Sequence, residues 1–366
     1  MKRVLFLTNY ASPYRVRFFD QLGKSTSLTV LCTERIEEKT HRDAGWFVSG
    51  QGHFDLVHLS RRLFTVRGKA MCLDVVDWLK KPFDTIVICG YSSPTAMLAM
   101  AHCRLHRIPY YLEVDGGLVR RENRIKYWYK RLLVGSADAW LSTGQRTTDF
   151  LVHYGARRER VFCYPFTSLE AADLLDKPVA AEEKAALRAE LGMAEGRILL
   201  SIGQFIHRKG FDVLLKAART LPEDVGVYIV GGEPTEEYLK LRESLGLENV
   251  HFCGFQKKED LARYYKAADL FVLPTREDIW GLVVNEAMAF GLPVITTGSC
   301  VAGLELVEEG VNGLLVPAGD AQALARAMSR VLAGDMAKMG AAALATAGGY
   351  TIENMAKAHV EIFEGR

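Results

Sequence analysis

The sequence of 366 residues predicts an α/β protein made of two doubly wound domains in tandem. The chain is longer than the ~250–300 residues at which a single core stops growing. Short apolar runs typical of buried strands alternate with helical patterns, which indicates parallel sheets covered on both faces. The alternation stops in an Ala-, Asp- and Glu-rich stretch at 167–191 and then restarts. We therefore predict domains at 1–170 and 171–350, and a C-terminal helix at 351–366 that packs near or onto the first domain.

In the first half, strands are predicted at 4–7, 28–31, 85–89, 110–114, 139–142 and 161–164. Helices are predicted around 18–22 and at 69–80, 94–106, 123–134 and 147–154. The third of these has Ser93 as its N-cap and Pro94 in its first turn, which are the residue types preferred there. The glycine-rich segment 33–64 is predicted to be a long loop with short strands at most.

In the second half, strands are predicted at 198–202, 227–230, 250–253, 270–273, 294–296 and 314–316. Helices are predicted at 211–218, 236–245, 258–267, 282–290, 321–332, 336–345 and 351–363. The segment 298–320 contains several glycines and is predicted to be loop-like apart from its short strand.

Composition limits the possible class of protein. Hydrophobic content of 49% and charged content of 25% are ordinary for a soluble globular protein. The seven cysteines include no close pair, which favours reduced thiols over disulfides or a zinc site. The N-terminal apolar run is shorter than the ~7–15 residues of a secretory signal or the ~20 of a membrane span. We therefore expect a cytoplasmic protein.

Charge is distributed unevenly along the chain. The net charge is only +2, but residues 1–170 carry an excess of ten basic residues and the remainder an excess of eight acidic ones. Such asymmetry predicts different partners for the two halves.

The stretch 274–295, PTREDIWGLVVNEAMAFGLPVI, is the centre of the second half. An acidic loop follows a buried strand and leads into a helix, at the edge where open α/β sheets bind ligands. The first amides of that helix, from Gly281 to Val284, have no intrahelical partner and favour a phosphate. Asp278 and Glu286 could flank one polar ligand and accept its hydroxyl hydrogens. The alternative is an acid that favours the helix dipole and a solvated glutamate.

This stretch resembles the E-x7-E signature of retaining glycosyltransferases of family 4, which have the GT-B fold. Three further segments are similar to linked motifs of that family: GQFIHRKGFDVLLKA at 203–217, VYIVGGEPTEEYLKL at 227–241 and ELVEEGVNGLLVPAGDAQALARAM at 305–328. The resemblance implies two Rossmann-like domains facing across a cleft. It places the acceptor in the first domain and the nucleotide-sugar donor in the second. It implies neither a metal nor a cofactor.

The resemblance also implies roles for individual residues. Asp278 would contact donor-sugar hydroxyls, Glu286 the ribose, and Lys209 with Arg208 the diphosphate. A fixed positive charge on that leaving group stabilises the transition state. The residues implied to contact the donor are Gly203, Gln204, Gly232, Glu277, Ile279, Trp280, Gly281, Leu282 and Val283. Gln204 stands where the family usually has arginine, and Asp278 replaces the first glutamate of the signature.

The first half matches the family only in outline. The usual histidine near the end of its fifth strand is absent, and Asp115 is the candidate catalytic carboxylate in its place. The other residues implied on the acceptor side are Tyr14, Arg15, Glu113 and Gly116. The pattern at 113–115 is also similar to an acidic metal motif of another glycosyltransferase fold, which the doubly wound prediction contradicts.

The segment RRENRIKYWYKRLL at 120–133 combines basic and aromatic residues. It predicts contact with an anionic membrane surface through Arg120 to Arg131. The alternative is a helix that packs its aromatic rings on the sheet and leaves its charges in water. No nucleic-acid-binding module and no dinucleotide fingerprint is present in the sequence.

Together these features predict a retaining, metal-independent glycosyltransferase. It would move a sugar from a nucleotide diphosphate sugar, with UDP favoured and GDP as the second choice, to a hydroxyl of a glycan or lipid-linked glycan. We expect a role in cell-envelope or exopolysaccharide synthesis, in the cytoplasm or peripherally at the inner face of the membrane. The alternatives are a sugar-nucleotide epimerase or hydrolase of the same fold, and a degenerate nucleotide-sugar-binding protein.

Overall fold

The structure is a computed structural model that describes residues 1–34, 52–66 and 68–365. It divides into two compact units. The first comprises Met1–Ser168 and Thr351–Arg366, and the second comprises Leu169–Tyr350.

The first unit contains a parallel sheet and a separate hairpin. Its strands are β1 (Arg3–Thr8), β2 (Ser27–Cys32), β3 (Phe54–His58), β4 (Arg62–Val66), β5 (Lys69–Cys72), β6 (Thr85–Cys89), β7 (Tyr111–Val114), β8 (Ala139–Ser142) and β9 (Val161–Cys163). Among the described residues, seven of them form a sheet in the order β3-β2-β1-β6-β7-β8-β9, with every pair parallel. Strands β4 and β5 pair with each other in antiparallel fashion.

Helices cover this sheet. They are α1 (Pro13–Gly23), α2 (Val75–Leu79), α3 (Pro94–His106), α4 (Arg124–Val134) and α5 (Gln145–His153). The side chains of β1 from Val4 to Leu7 are at most 3% exposed, as expected for a strand covered on both faces. The order of the sheet reverses between β1 and β6. The loops after the strands at this point form the crevice where such sheets bind ligands.

The second unit repeats this arrangement with a smaller sheet. Its strands are β10 (Arg197–Ile202), β11 (Val225–Val230), β12 (Val250–Cys253), β13 (Leu270–Leu273), β14 (Val294–Thr297) and β15 (Gly313–Val316). They form a parallel sheet in the order β12-β11-β10-β13-β14-β15. Here the order reverses between β10 and β13, so the loops after these two strands lie side by side.

The helices of the second unit are α6 (Ala181–Leu191), α7 (Phe211–Ala218), α8 (Glu236–Ser244), α9 (Lys258–Ala267), α10 (Leu282–Ala289), α11 (Val301–Leu306), α12 (Ala321–Leu332) and α13 (Met336–Ala347). The last helix, α14 (Ile352–Glu364), belongs to the first unit. Its N-cap Thr351 accepts a hydrogen bond from the amide of Asn354. Its His359 ring lies 4.8 Å from the ring of Phe18 on α1.

Most predicted elements are confirmed to within a few residues. Ser93 caps α3 by accepting a hydrogen bond from the Ala96 amide, with Pro94 in the first turn, as the sequence predicts. None of the helices in the described ranges is both long and apolar enough to cross a bilayer.

The helix predicted at 69–80 is wrong in its first third, which is β5. Ala70 is 3% exposed and Cys72 is fully buried, whereas the alternate residues Lys69 and Met71 are only half-buried. This alternation has the period of a strand rather than a helix. Only the last part of the segment is helical, as α2.

One loop prediction also needs correction. The glycine-rich segment after β14 contains the short helix α11, where Gly303 serves close packing: a Cβ there would lie 2.3 Å from the Thr296 side chain. At 33–64, the short strands that the prediction allowed are β3 and the start of β4. The part of this segment at 35–51 lies outside the described residues.

Candidate functional site

The loop after β10 places two cationic side chains on one short turn. Residues His207–Lys209 form a single 3-10 turn that ends at Gly210, whose φ is 72°. Gly203, at the start of the loop, has φ 156°, and a Cβ there would lie 3.2 Å from Lys209 Cε. The lysine side chain therefore lies across the glycine, and this contact fixes the position of its ammonium group.

The loop after β13 presents a carboxylate to both cations. Lys209 Nζ lies 2.7 Å from Asp278 Oδ2, and both side chains are 13% exposed. Arg208 Nη1 lies 3.4 Å from Asp278 Oδ1 and donates a hydrogen bond of 2.7 Å to the Glu277 carbonyl. Two positive charges thus converge on one point, where they are balanced by one negative charge.

The main chain of Asp278 is fixed independently of its side chain. Its amide donates to the Ser299 carbonyl at 3.0 Å, and its carbonyl accepts from the Val301 amide at 3.3 Å. These bonds tie the loop to the start of α11. The carboxylate can therefore change its rotamer without movement of the loop.

A required glycine leads from this loop into α10. Gly281 has φ 103°, and a Cβ there would lie 2.6 Å from Cys300 Sγ, so no other residue fits without displacement. The amides of Leu282 and Val283 follow in the first turn of α10, where backbone donors have no intrahelical acceptor. The end of the helix that favours anions therefore lies directly after Asp278 in the chain.

Glu286, in the second turn of α10, is held by a buried tyrosine. Tyr265 on α9 donates its hydroxyl to Glu286 Oε2 at 2.9 Å. Burial raises the pKa of Tyr265 well above its ordinary value, and the Glu286 charge raises it further. The phenol therefore stays protonated and orients the carboxylate.

The remaining residues predicted to contact the donor occupy different environments. Gln204 and Ile279 are exposed, the latter at 60%, and Gly232 has φ 118°. Trp280 is only 4% exposed and donates its indole N–H to Asn285 Oδ1 at 2.8 Å. The indole therefore supports the loop from inside, and the donor contact of Trp280 stays a prediction.

A buried charge cluster lies at the carboxyl end of β7 in the first unit. Arg15 Nη1 lies 2.9 Å from Glu113 Oε2, and Arg15 Nη2 lies 2.5 Å from Asp115 Oδ1. The Arg15 and Glu113 side chains are 4% and 0% exposed, whereas that of Asp115 is 41% exposed. One guanidinium thus bridges a buried and an accessible carboxylate.

The C-terminal helix adds a further side chain to this cluster. His359 Nδ1 lies 2.7 Å from the Met355 carbonyl, and its Nε2 lies 3.6 Å from Glu113 Oε1. Burial alone would raise the pKa of Glu113, but Arg15 and then His359 outweigh it and hold that pKa below its ordinary value. Cys89 donates its thiol to the same carboxylate, and burial keeps the pKa of that thiol well above its usual range.

These contacts refine the predicted acceptor side. Glu113 and Arg15 are buried, and the Arg15 guanidinium holds the accessible Asp115 carboxylate. Their predicted contact with an acceptor stays a prediction. Tyr14 is half-buried, and burial followed by the nearby Asp115 charge raises its pKa to about 12. Gly116, next to Asp115, has φ 144°, a conformation that favours glycine.

Several supporting residues carry no recognisable signal in the sequence. His359 is 246 positions from Glu113 in the chain, and Tyr265 is 21 positions from Glu286. No local spacing rule connects such pairs.

The second unit is similar to a known family of enzymes. The family model for glycosyl transferases group 1 matches residues 183–345. The matched segment contains Lys209, Asp278 and Glu286, so the site described above lies inside it.

Curated relatives show the same similarity. The chain is 33% identical over 252 residues to D-inositol 3-phosphate glycosyltransferase of Nocardia farcinica. This match covers 64% of this chain and 54% of that protein. It is 36% identical over 143 residues to the lipopolysaccharide core biosynthesis glycosyltransferase LpsE of Rhizobium meliloti, covering 38% of this chain and 41% of the relative. The chain thus matches about half the length of such relatives.

Solved structures confirm the predicted GT-B fold. HepE of Anabaena in complex with UDP superposes with a TM-score of 0.79 at 19% identity, and the match covers 100% of both chains. At this level of identity the similarity shows the fold alone. Among the residues that the structure describes, no group of three or more His, Cys, Asp or Glu side chains could hold a metal ion.

We predict that Glu113→Gln destabilises the protein by about 3 kcal/mol, because it leaves the buried Arg15 charge with only the partly exposed Asp115 as a carboxylate partner. The pKa of Glu113 is lower in the folded state, so its contribution is fully present above the unfolded value of 4.5 and is lost as the pH falls below it. The gap between wild type and variant should therefore narrow from pH 6 to pH 3. Urea unfolding at several pH values measures this gap.

Asp149→Asn is the matched control, since Asp149 pairs with Arg158 on the surface of the same unit and both side chains are more than 40% exposed. It should cost less than about 1 kcal/mol. An equal loss in both variants, or a gap for Glu113→Gln that widens on acidification, contradicts the assignment.

Proposed function

We propose that the protein is a retaining glycosyltransferase that transfers a sugar from a nucleotide diphosphate sugar to a hydroxyl group. The observation that carries this proposal is the convergence of Lys209 and Arg208 on Asp278 beside the N-terminus of α10. Two cations and a helix terminus suit a diphosphate, and carboxylates beside them suit sugar hydroxyls. The surrounding domain matches a family of glycosyl transferases.

In the proposed reaction the bond between the anomeric carbon and the β-phosphate oxygen breaks. The acceptor oxygen bonds to that carbon on the same face, and its proton passes to the departing diphosphate. Lys209 and Arg208 stabilise the negative charge that develops on the leaving group, which is the main electrostatic demand of the step. Asp278 and Glu286 accept hydrogen bonds from donor hydroxyls. No protein nucleophile and no metal has a role in this scheme.

The donor favoured by the comparisons is a UDP-sugar, with a GDP-sugar as the second choice. HepE, which shares the fold, has been solved with UDP and with UDP-glucose. The Tyr265 hydroxyl fixes Glu286 at the position where a ribose would be recognised. Neither feature selects a base, so the donor is assigned by the test below.

The proposed acceptor is a hydroxyl of a glycan or lipid-linked glycan of the cell envelope. The name of LpsE places that relative in lipopolysaccharide core biosynthesis. In this chain, the Arg15 bridge orients the accessible Asp115 carboxylate at the ligand-binding edge of the first sheet. We assign Asp115 to the acceptor side, where it would accept a hydrogen bond from the attacking hydroxyl.

The surface of α4 supports a peripheral location at the inner face of the membrane. Ile125, Trp128, Tyr129 and Leu132 are 84%, 60%, 48% and 67% exposed, and their spacing places them on one face of the helix. The segment 120–131 contains six basic residues and one acidic residue. An apolar stripe with basic flanks fits an anionic bilayer surface. The alternative, in which aromatic rings of the helix pack inward, holds for Tyr127, which packs against the core of the first unit, whereas Trp128 is exposed.

A second candidate is a degenerate nucleotide-sugar-binding protein. It is favoured by the balance of charge at the site, where Asp278 already neutralises Lys209, and by Gln204 at a position the family usually fills with arginine. Such a protein would bind a nucleotide sugar without turning it over.

The test of the proposed function is a thermal-shift screen of UDP, GDP, ADP and their common sugars, followed by measurement of acceptor-dependent nucleotide release. A ligand at 100 times its Kd should add about 2.7 kcal/mol of stability. Stabilisation by one nucleotide together with acceptor-dependent release supports the transferase. Stabilisation without release supports the degenerate protein, and release without any acceptor indicates a hydrolase.

We predict that Lys209→Ala lowers kcat by about 10²–10³, the effect of losing one charge-stabilising donor. Steady-state nucleotide release measures it. Lys216→Ala is the control, because Lys216 lies on the neighbouring helix α7 with its side chain 54% exposed. A Lys209→Ala rate within threefold of wild type overturns the assignment.

We also predict that Asp278→Asn strengthens binding of the free nucleoside diphosphate while it lowers kcat. The substitution frees Lys209 from a partly exposed ion pair worth ~1 kcal/mol, which corresponds to about fivefold in Kd. It also removes the acceptor of the sugar hydroxyls. Calorimetric titration measures Kd, with Asp224→Asn as a control at the surface pair with Arg197. Weaker diphosphate binding by Asp278→Asn refutes the competition between carboxylate and phosphate.

For the membrane surface, we predict that the protein sediments with anionic vesicles in low salt and not in ~1 M salt, where the Debye length falls to about 3 Å. Replacing Ile125 and Trp128 by serine should abolish co-sedimentation. Equal binding to neutral and anionic vesicles would show that the basic residues are not responsible.

A further inference from the structure

The hairpin of β4 and β5 is a second surface of the first unit with exposed apolar side chains. Every residue of β4 is exposed, and Leu63, Phe64 and Val66 are 59%, 47% and 50% exposed. A two-stranded ribbon is marginally stable in water unless it packs on something. A cluster of exposed apolar side chains at its outer strand therefore indicates a partner.

The inner strand of this hairpin is firmly attached. Thr95 Oγ1, in the first turn of α3, donates to the Ala70 carbonyl at 2.7 Å and accepts from the Cys72 amide at 2.9 Å. Ala70 and Cys72 are both buried. The hairpin is thus attached to α3 through β5, and β4 forms its exposed strand.

The charge of the hairpin identifies the kind of partner. Residues 60–72 contain four basic residues and no acidic residue. Arg61 pairs with Asp77, and Lys69 Nζ lies 2.9 Å from Ser92 Oγ. Apolar side chains set among basic ones, on an element that projects from the surface, suit an anionic lipid interface.

The hairpin and α4 are attached to the same part of α3. Tyr129 of α4 directs its hydroxyl to Met97 Sδ at 3.3 Å, while β5 binds Thr95, two residues away. Two residues along a helix advance ~3 Å. The two apolar and basic surfaces therefore flank one helix end.

We propose that β4 is a second membrane-docking element, which inserts Leu63, Phe64 and Val66 into the interfacial region of an anionic bilayer beside α4. This inference rests on the membrane docking of α4 proposed above and extends it from one contact to two. Docking at two elements fixes the orientation of the first unit on the bilayer. A unit docked through a single helix could rotate about that helix. Its ligand-binding edge would then be held at a constant angle to lipid-linked acceptors.

The experiment compares full-length variants on vesicles of phosphatidylcholine with and without phosphatidylglycerol. A hairpin variant carries Leu63→Ser, Phe64→Ser and Val66→Thr, and a helix variant carries Ile125→Ser and Trp128→Ser. The control carries Leu239→Ser and Phe255→Ser, which replace apolar side chains of similar exposure in the second unit. Urea unfolding of each variant confirms that it is folded. We expect the hairpin variant to partition about tenfold more weakly than wild type, and the control to bind as wild type does.

A second measurement does not depend on loss of binding. Phe64→Trp introduces an indole on β4, and lipids brominated on their acyl chains quench indoles that reach the interface. The fluorescence added by this substitution should be quenched on anionic vesicles, whereas that added by Leu239→Trp should not.

The outcomes separate the two proposals. If the hairpin variant binds like wild type while the helix variant does not, the hairpin inference is overturned and the docking of α4 stands. If the wild-type protein does not bind anionic vesicles, the docking of α4 and the docking of β4 are both overturned. If the hairpin variant instead loses concentration-dependent self-association, seen by sedimentation velocity without lipid, β4 is an interface between copies and the inference is overturned.

Discussion

The ion pair between Lys209 and Asp278 is the interaction around which the second unit's site is built. It forms because the sheet reverses its order between β10 and β13, which places two loops side by side at the carboxyl ends of their strands. Gly203 lets the lysine lie across its own loop, and Gly281 lets the other loop turn directly into α10. A half-buried ammonium group with a single carboxylate partner is prepared for an incoming anion, since a diphosphate can replace the carboxylate without a change in backbone.

In the first unit, by contrast, the central ion pair is buried and its partners are fixed. Glu113 and Arg15 are removed from solvent and are stabilised by each other, so they cannot exchange partners at low cost. The accessible member of the cluster is Asp115, which shares the Arg15 guanidinium. His359 arrives from the other end of the chain and closes the cluster from behind. Such a network orients one carboxylate, and it also ties α14 to the unit that the chain left at Ser168.

Prediction from the sequence succeeded where local periodicity carries the information. The helices α7, α9, α10 and α12 were predicted at their observed positions, because each has an apolar face and clear ends. It failed at 69–72, where four residues are too few to separate a strand from the start of a helix, and at α11, where Gly303 serves close packing. In the candidate site, Lys209, Asp278 and Glu286 were predicted through motif spacing, and the structure places Lys209 against Asp278. The contacts of Tyr265 and His359 were not predicted, because their partners are brought to them only by tertiary folding.

The distribution of exposed apolar groups gives the charge asymmetry of the chain a physical meaning. A basic surface alone would attract any polyanion, and its attraction would vanish with salt. In the first unit the basic residues surround Ile125, Trp128 and Leu132 on α4, and others surround Phe64 on β4. Transfer of apolar side chains out of water is favourable. An anionic bilayer offers an apolar interior beside a negatively charged surface. The acidic second unit would be repelled by the same lipids. The charge asymmetry therefore confines the proposed membrane contact to the first unit.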